Sequence, residues 1–205
     1  MNTWWIVPLV ALLYGCAAFL GLHFSASICE KIVPFEDGPR PGKPPTTALI
    51  VGATIVGGIL AARGLPISGL AVFAVLVVSL VASWYSDVKC GIVPDYFTLV
   101  PLVLVFGIAS LERNVSPIVS AVIAFVPFAG VALFSKGRGM GWGDVKLVAL
   151  GAAVLGLRTS VLAFSAACLL AVGIAVVRRR RHEPIAFVPY LAGTMAVALT
   201  FPVFA

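Results

Sequence analysis

Long apolar stretches, interrupted by short polar ones, make up most of the chain. A bilayer core takes about 20 apolar residues per helix, within a range of about 17 to 25. Read in windows of that length, the pattern predicts eight membrane-crossing helices. They lie near residues 4–24, 47–62, 66–86, 96–111, 116–134, 144–157, 159–177 and 185–204. Those that start near 47, 96 and 144 are short, so we expect them to cross incompletely, to borrow flanking residues or to thin the bilayer locally.

Composition agrees with this pattern and excludes a soluble globular protein. Hydrophobic residues make up 61% of the 205 residues and charged residues only 11%, and the mean hydropathy is +1.11. A soluble core of this length could not bury so much apolar surface. The predicted fold class is therefore all-α: a polytopic membrane helix bundle of about eight transmembrane helices, forming one integral membrane domain over residues 1–205.

The lysines and arginines predict the orientation of the bundle. With eight crossings, eleven of the fourteen lie in loops on one side of the membrane and three on the other. The eleven are Lys31, Arg40, Lys43, Lys89, Lys136, Arg138, Lys146 and Arg178–Arg181, and the three are Arg63, Arg113 and Arg158. Cytoplasmic loops carry the excess of positive charge, so the bundle is predicted to be N-out and C-out. The same bias explains the net charge of +6, so we predict no nucleic-acid partner.

One glycine-rich turn places an acid at the start of an apolar helix. Residues 139–147 read Gly-Met-Gly-Trp-Gly-Asp-Val-Lys-Leu, with Asp144 as the acid. The glycines, Gly141 and Gly143 among them, let another chain segment approach closely because no β-carbon obstructs it. A carboxylate at the edge of hydrocarbon is costly and therefore marks a functional candidate. Asp144 would also suit a simpler role as the cap of the helix that follows.

A second acid, Asp87, lies at the end of another long apolar helix. Gly91 and Pro94 then interrupt the helix, and Asp95 is predicted to be the N-cap where it restarts. Asp87 has no such role, because the C-terminal end of a helix disfavours negative charge. We therefore interpret Asp87 as a functional candidate and Asp95 as a structural residue.

Six of the eight acids can be assigned to loops or to a cap. These six are Glu30, Glu36, Asp37, Asp95, Glu112 and Glu183. The predicted topology puts the remaining two, Asp87 and Asp144, at the same cytoplasmic level, where a bundle could bring them face to face. Two carboxylates in one site do not ionise together readily. The charged one could deprotonate a water that attacks a peptide carbonyl, while the neutral one protonates the carbonyl oxygen.

The cysteines indicate neither a metal site nor a disulfide. Cys16, Cys29, Cys90 and Cys168 are scattered, with no Cys-x-x-Cys pair and no histidine close enough to complete a zinc site. We therefore predict no metal.

The two aspartate motifs resemble those of the type IV prepilin peptidases, which are membrane aspartic proteases of bacteria and archaea. Residues 141–147 are similar to the family's Gly-x-Gly-Asp-x-Lys motif. Asp87, followed by Pro94 and Asp95, resembles its first catalytic aspartate and downstream Pro-Asp element. Residues 185–193 are similar to a late Pro-Phe-Gly-Pro-Phe-Leu-Ala stretch, from which Ala186 and Val188 depart.

The resemblance implies a division of the chain and roles for single residues. Residues 81–205 would be the peptidase core, and residues 1–80 would hold N-terminal helices and a proline-rich cytoplasmic loop at 25–46. Asp87 and Asp144 would be the catalytic pair. The supporting motif positions would be Gly141, Gly143, Lys146, Pro94 and Asp95.

The first cytoplasmic loop departs from the family. The bifunctional members resembled here often carry paired Cys-x-x-Cys zinc motifs in that loop and also N-methylate the newly exposed amine. This chain has only Cys29 there. The implied proteolysis needs no cofactor, and methyl transfer from S-adenosylmethionine stays open.

The implied substrate is a prepilin or pseudopilin, in which a basic leader meets an apolar helix. That helix would dock laterally in the lipid bilayer while the leader stays in the cytosol. The site would then lie on the cytoplasmic side of a bacterial or archaeal plasma membrane. Its substrates would belong to a type IV pilus or a type II secretion system.

Other functions remain open at the level of sequence. Asp87 and Asp144 could carry protons in a transporter or fix helix packing in an assembly subunit. A presenilin-type protease is a third alternative, but that family expects a Tyr-Asp motif, and here Ser86 separates Tyr85 from Asp87.

Overall fold

The computed structural model describes residues 4–31, 43–134, 140–177 and 186–201. These ranges contain eight α-helices and one 3-10 turn, Asp95–Phe97. The helices are α1 (Ile6–Cys29), α2 (Thr46–Ala62), α3 (Ile67–Cys90), α4 (Leu99–Leu111), α5 (Ser116–Phe134), α6 (Trp142–Leu155), α7 (Leu157–Val177) and α8 (Val188–Thr200). No strand occurs within these ranges, so the all-α prediction is confirmed for them. Several residues used in the sequence argument lie outside the described ranges: Glu36, Asp37, Arg40, Lys136, Arg138, Gly139, Arg178–Arg181 and Glu183.

Four helices, α1, α3, α5 and α7, are long and apolar enough to cross a membrane. Apolar but shorter helices are α2, α8 and the segment Asp95–Leu111. Each predicted window therefore contains a helix, while the count of eight crossings and the N-out and C-out orientation stay predictions.

The helices α1 and α3 extend further than the apolar windows indicated. They run to Cys29 and Cys90, and these two residues contact each other. The Ser25 hydroxyl donates a hydrogen bond of 2.9 Å to the carbonyl of Ala82. Gly91 then ends α3 in the left-handed region, with a φ of 70°, which glycine adopts without a steric penalty.

Small residues allow α1 and α2 to pack closely. A β-carbon added to Gly57 of α2 would lie 2.5 Å from the ring carbon Cγ of Tyr14 on α1. Tyr14 cannot easily move away, because its hydroxyl donates a 2.6 Å hydrogen bond to the carbonyl of Leu70 in α3. Gly57 and Tyr14 thus fix the contact between the first three helices.

We expect Gly57→Ala to lower the free energy of unfolding by about 1 to 3 kcal/mol, the usual cost of overpacking a core. Gly58→Ala is the matched control, because a β-carbon there would lie 3.6 Å from the β-carbon of Ala11, an ordinary contact. Unfolding of both variants in detergent micelles by heat or SDS measures the difference. Equal stability of the two variants would contradict this account of the packing.

The short helix α6 lies at the centre of the bundle. All residues from Leu147 to Ala153 are buried, as expected of a helix that is apolar on every side. Gly151 of α6 faces Met195 of α8 and Ser160 of α7, and the Ser160 hydroxyl donates a hydrogen bond to the carbonyl of Val148. The packing from Leu147 onward therefore anchors the body of α6, which follows the glycine-rich turn.

Candidate active site

Asp87 lies in the last turn of α3, and its side chain accepts a hydrogen bond from a residue of another helix. The residue is only 8% exposed, and its Oδ2 accepts a hydrogen bond of 3.0 Å from the backbone N–H of Val188. Val188 is the first residue of α8, and a helix N-terminus favours a carboxylate charge. The unfavourable end of α3 is thus offset by the favourable end of α8, which an argument from α3 alone could not include.

Asp144 lies in the first turn of α6 and is half-buried. Its carboxylate accepts a hydrogen bond from the backbone N–H of Gly141, the residue that precedes the helix. An acid at the third helical position that reaches back in this way forms half of a capping box. Asp144 therefore has a structural role in addition to any chemical one. Gly141 leaves room for it, since a β-carbon there would lie 3.3 Å from the Asp144 Oδ2.

The structure places Asp87 and Asp144 within electrostatic range of each other. The charge of Asp144 acts directly on the carboxyl group of Asp87, although the two come from different helices. Like charges so placed disfavour simultaneous ionisation of the two groups. The pair can therefore hold one proton and one negative charge, which are the requirements for combined acid and base chemistry.

Two contacts join the chain segments next to these aspartates. A β-carbon on Gly143 would lie 2.6 Å from the β-carbon of Val93, so only glycine fits there. The Lys146 Nζ and the Asp95 Oδ1 form an ion pair at 2.5 Å. The predicted N-cap role of Asp95 is wrong: Asp95 is the first residue of the 3-10 turn, after Pro94 in an extended conformation, and its carboxylate binds the lysine instead.

An apolar groove begins about one helical turn from Asp87. It has a volume of about 270 Å³. Trp84 of α3 and Ala192 of α8 line it, each about one helical turn from Asp87 and Val188 respectively. Its lining is almost entirely apolar and includes several small residues: Pro45, Ala48, Leu49, Gly52, Ala53, Val56, Val77, Leu80, Val81, Trp84, Ala192, Gly193 and Ala196.

Comparison with models of known protein families gives a match to the type IV leader peptidase family over residues 74–176. The match covers 103 of the 205 residues. The chain belongs to this family. Searches of curated proteins and of solved structures gave no match.

The predicted resemblance is confirmed, and membership of this family implies that the chain is a peptidase. Its long apolar helices indicate a multi-pass membrane protein. Asp87, Asp144 and both contacts between their neighbouring segments lie within the matched residues, whereas Val188 lies beyond them.

Two residues that shape the site were missed from sequence. Val188 contributes only its backbone N–H, which no side-chain motif reveals, and its one signal was its place in the stretch 185–193. Val93 acts through its shape against Gly143. The glycine predicted a close approach by another segment, but it could not say which segment approaches.

Proposed function

We propose that this leader peptidase is a membrane-embedded aspartic endopeptidase of the Gly-x-Gly-Asp type. It cuts the basic leader from prepilin-like proteins at the cytoplasmic face of the membrane. The observation that carries the proposal is the placement of Asp87 and Asp144 within electrostatic range of each other, both within the residues matched to the family. The cytoplasmic location is supported by the distribution of the lysines and arginines.

The chemistry follows from a pair that holds one proton. The ionised carboxylate removes a proton from a water, whose oxygen attacks the scissile carbonyl carbon, while the neutral carboxyl group protonates the carbonyl oxygen. The tetrahedral intermediate then collapses: one of its hydroxyl groups returns a proton to the carboxylate that had protonated the carbonyl oxygen, the C–N bond breaks, and the leaving nitrogen takes a proton from the other carboxyl group. The two side chains thus return to their starting state, and no residue forms a covalent bond with the substrate.

The surroundings suit each carboxylate to this exchange. Val188 donates its backbone N–H to Asp87, and Gly141 donates its backbone N–H to Asp144. Each donor stabilises the ionised form of the carboxylate that it contacts. Whichever of the two acids is ionised therefore has a backbone hydrogen-bond donor. Fixed backbone donors need no rearrangement as the charge moves, which favours catalysis.

The proposal is tested with proteoliposomes that contain the wild-type chain and a peptide joining a basic leader to an apolar helix. We expect one cut at the leader–helix boundary, located by mass spectrometry of the products. A matched peptide with glutamines in place of the leader's basic residues should be cut more slowly. Cleavage of neither peptide by folded protein would overturn the proposal. Methyl transfer, with S-adenosylmethionine as donor, stays a prediction, and the same spectra would reveal it as the added mass of one methylene group.

The apolar groove is suited to the substrate's helix. It runs along α2, α3 and α8 and begins about one turn from Asp87. A β-carbon on Gly52 or on Gly193 would meet no atom of the described chain within 4 Å, although glycine in a helix is usually destabilising. Small residues allow close approach of another helix within a membrane.

We expect Gly52→Leu, which fills the groove, to raise KM for the leader–helix peptide about tenfold, equivalent to about 1.4 kcal/mol of binding. The kcat should stay within about twofold of wild type, because the carboxylate pair is untouched. Gly107→Leu on α4 is the matched control, since a β-carbon there also meets nothing described within 4 Å. Equal KM values for the two variants would place the substrate's helix elsewhere.

A further inference from the structure

The distance between Asp87 and Asp144 depends on the non-covalent contacts between the end of α3 and the start of α6. The two acids belong to helices that α4 and α5 separate in sequence. Direct contacts between their neighbouring segments therefore determine how the two carboxyl groups are placed. Among the described residues, the Val93–Gly143 contact and the Asp95–Lys146 ion pair connect these segments.

The Val93–Gly143 contact limits how far the two segments can move together, but it does not hold them together. Van der Waals contact is steep at short distance and weak when the surfaces separate. Val93 therefore prevents the Asp144 turn from approaching too closely. An attractive interaction is needed to prevent the turn from moving away.

The Asp95–Lys146 ion pair supplies that attraction. Lys146 lies on α6 two residues after Asp144, and Asp95 begins the 3-10 turn. That turn is itself fixed to α3, because the buried Ser79 hydroxyl donates a hydrogen bond to the carbonyl of Phe97. The ion pair thus connects α6 to a turn that is anchored on the helix carrying Asp87.

We propose that Asp95 and Lys146 are positioning residues, which hold the Asp144 turn against the end of α3 and so set the distance between the two carboxylates. The inference rests on the proposed function for its kinetic consequences, although the geometry it claims can be measured separately.

The exposure of the Asp95–Lys146 ion pair indicates that it positions the two segments and contributes little to the stability of the fold. The Lys146 side chain is 22% exposed and that of Asp95 is 60% exposed. Water screens such pairs, so they contribute little to global stability. Catalysis responds more strongly, because a displacement of about 1 Å can lower a rate about 100-fold.

The kinetic test compares Asp95→Asn, Lys146→Met, the double variant and Lys146→Arg on the leader–helix peptide. We expect each of the two single neutral variants to lower kcat by about 10-fold to 100-fold, with KM within about twofold of wild type. The double variant should be no worse than the worse single variant, because both remove the same interaction. Lys146→Arg, which keeps the ion pair, should retain most of the activity.

Other patterns would overturn the proposal in distinct ways. A lower kcat in Lys146→Met with normal kcat in Asp95→Asn would mean that the lysine acts on Asp144 by its charge alone. A higher KM in Asp95→Asn with unchanged kcat would mean that Asp95 binds the basic leader. Multiplying effects in the double variant would mean two independent roles.

A second measurement does not depend on activity. Nitroxide labels at Lys89 and Trp142, which are both exposed, report the distance between the end of α3 and the start of α6. The four native cysteines are replaced by serine in this background. We expect a narrow distance distribution, which broadens or shifts in Asp95→Asn and in Lys146→Met but not in Lys146→Arg. An unchanged distribution in both neutral variants would overturn the positioning role even if the wild-type chain cleaved nothing, whereas a changed distribution without any cleavage would contradict only the proposed function.

Discussion

Asp87→Asn and Asp144→Asn each lower kcat for the leader–helix peptide by about 10²-fold to 10⁴-fold, the range expected when a general acid or base is lost. Asparagine keeps the shape of the side chain and can still accept the backbone hydrogen bonds from Val188 and Gly141. It cannot exchange the proton. The measurement is steady-state cleavage in proteoliposomes, and Glu112→Gln, at the end of α4, is the matched control with normal activity.

The stability of the same variants separates a catalytic role of the aspartates from a packing role. Asp87 is 8% exposed and borders α8, so a packing role predicts that its replacement lowers the unfolding temperature together with activity. The protease account predicts lost activity with stability close to that of wild type. Lost stability in parallel with lost cleavage would favour the packing alternative.

Gly143→Ala is expected to lower kcat/KM about 100-fold. The new β-carbon would lie 2.6 Å from that of Val93, closer than two carbon atoms can approach, so the Asp144 turn must shift away from the end of α3. A displacement of about 1 Å in a catalytic group can lower a rate by about this factor. Cleavage of the leader–helix peptide measures the loss.

A compensating substitution tests the cause of that loss. Val93→Gly removes the atoms that the new methyl group would meet, so the double variant Gly143→Ala with Val93→Gly should recover at least about tenfold of the lost activity. Gly141→Ala is a useful comparison, because its β-carbon would meet the Asp144 carboxylate instead of Val93. If Val93→Gly rescued neither variant, the glycine at 143 would serve another purpose, such as close approach of the substrate.

The helices were predictable because their signal is local. An apolar run of sufficient length between polar residues specifies a helix without reference to its neighbours, and each of the eight windows contains one. Their ends were less predictable. Cys29 and Cys90 lie beyond the predicted ends of α1 and α3, and these two residues contact each other across the helices, which no local pattern in the sequence reveals.

The candidate site was predictable to the extent that its residues carry charge. Asp87 and Asp144 stood out because carboxylates are rare in an apolar chain and costly there. Asp95 was assigned to a cap because its sequence neighbours suit one, but Lys146 comes from a distant part of the sequence. An ion pair with a distant residue has no local pattern, so only the fold could reveal it.

The hydrogen bond from α8 to Asp87 affects the charge state of this acid in addition to its burial. An acid at the C-terminal end of α3 is disfavoured by that helix, yet Val188 places the N-terminal end of α8 against the same carboxylate. The late segment of the chain, beyond the residues matched to the family, therefore contributes to the site.

The most direct test of the account is a single-turnover cleavage assay with the wild-type chain and the double variant Asp87→Asn with Asp144→Asn, in the same liposomes and with the same leader–helix peptide. The account predicts one cut at the leader–helix boundary by the wild type and none by the double variant, with both proteins folded. Cleavage at the same bond by the double variant, at a rate close to that of wild type, would contradict the central claim that the two carboxylates activate the attacking water.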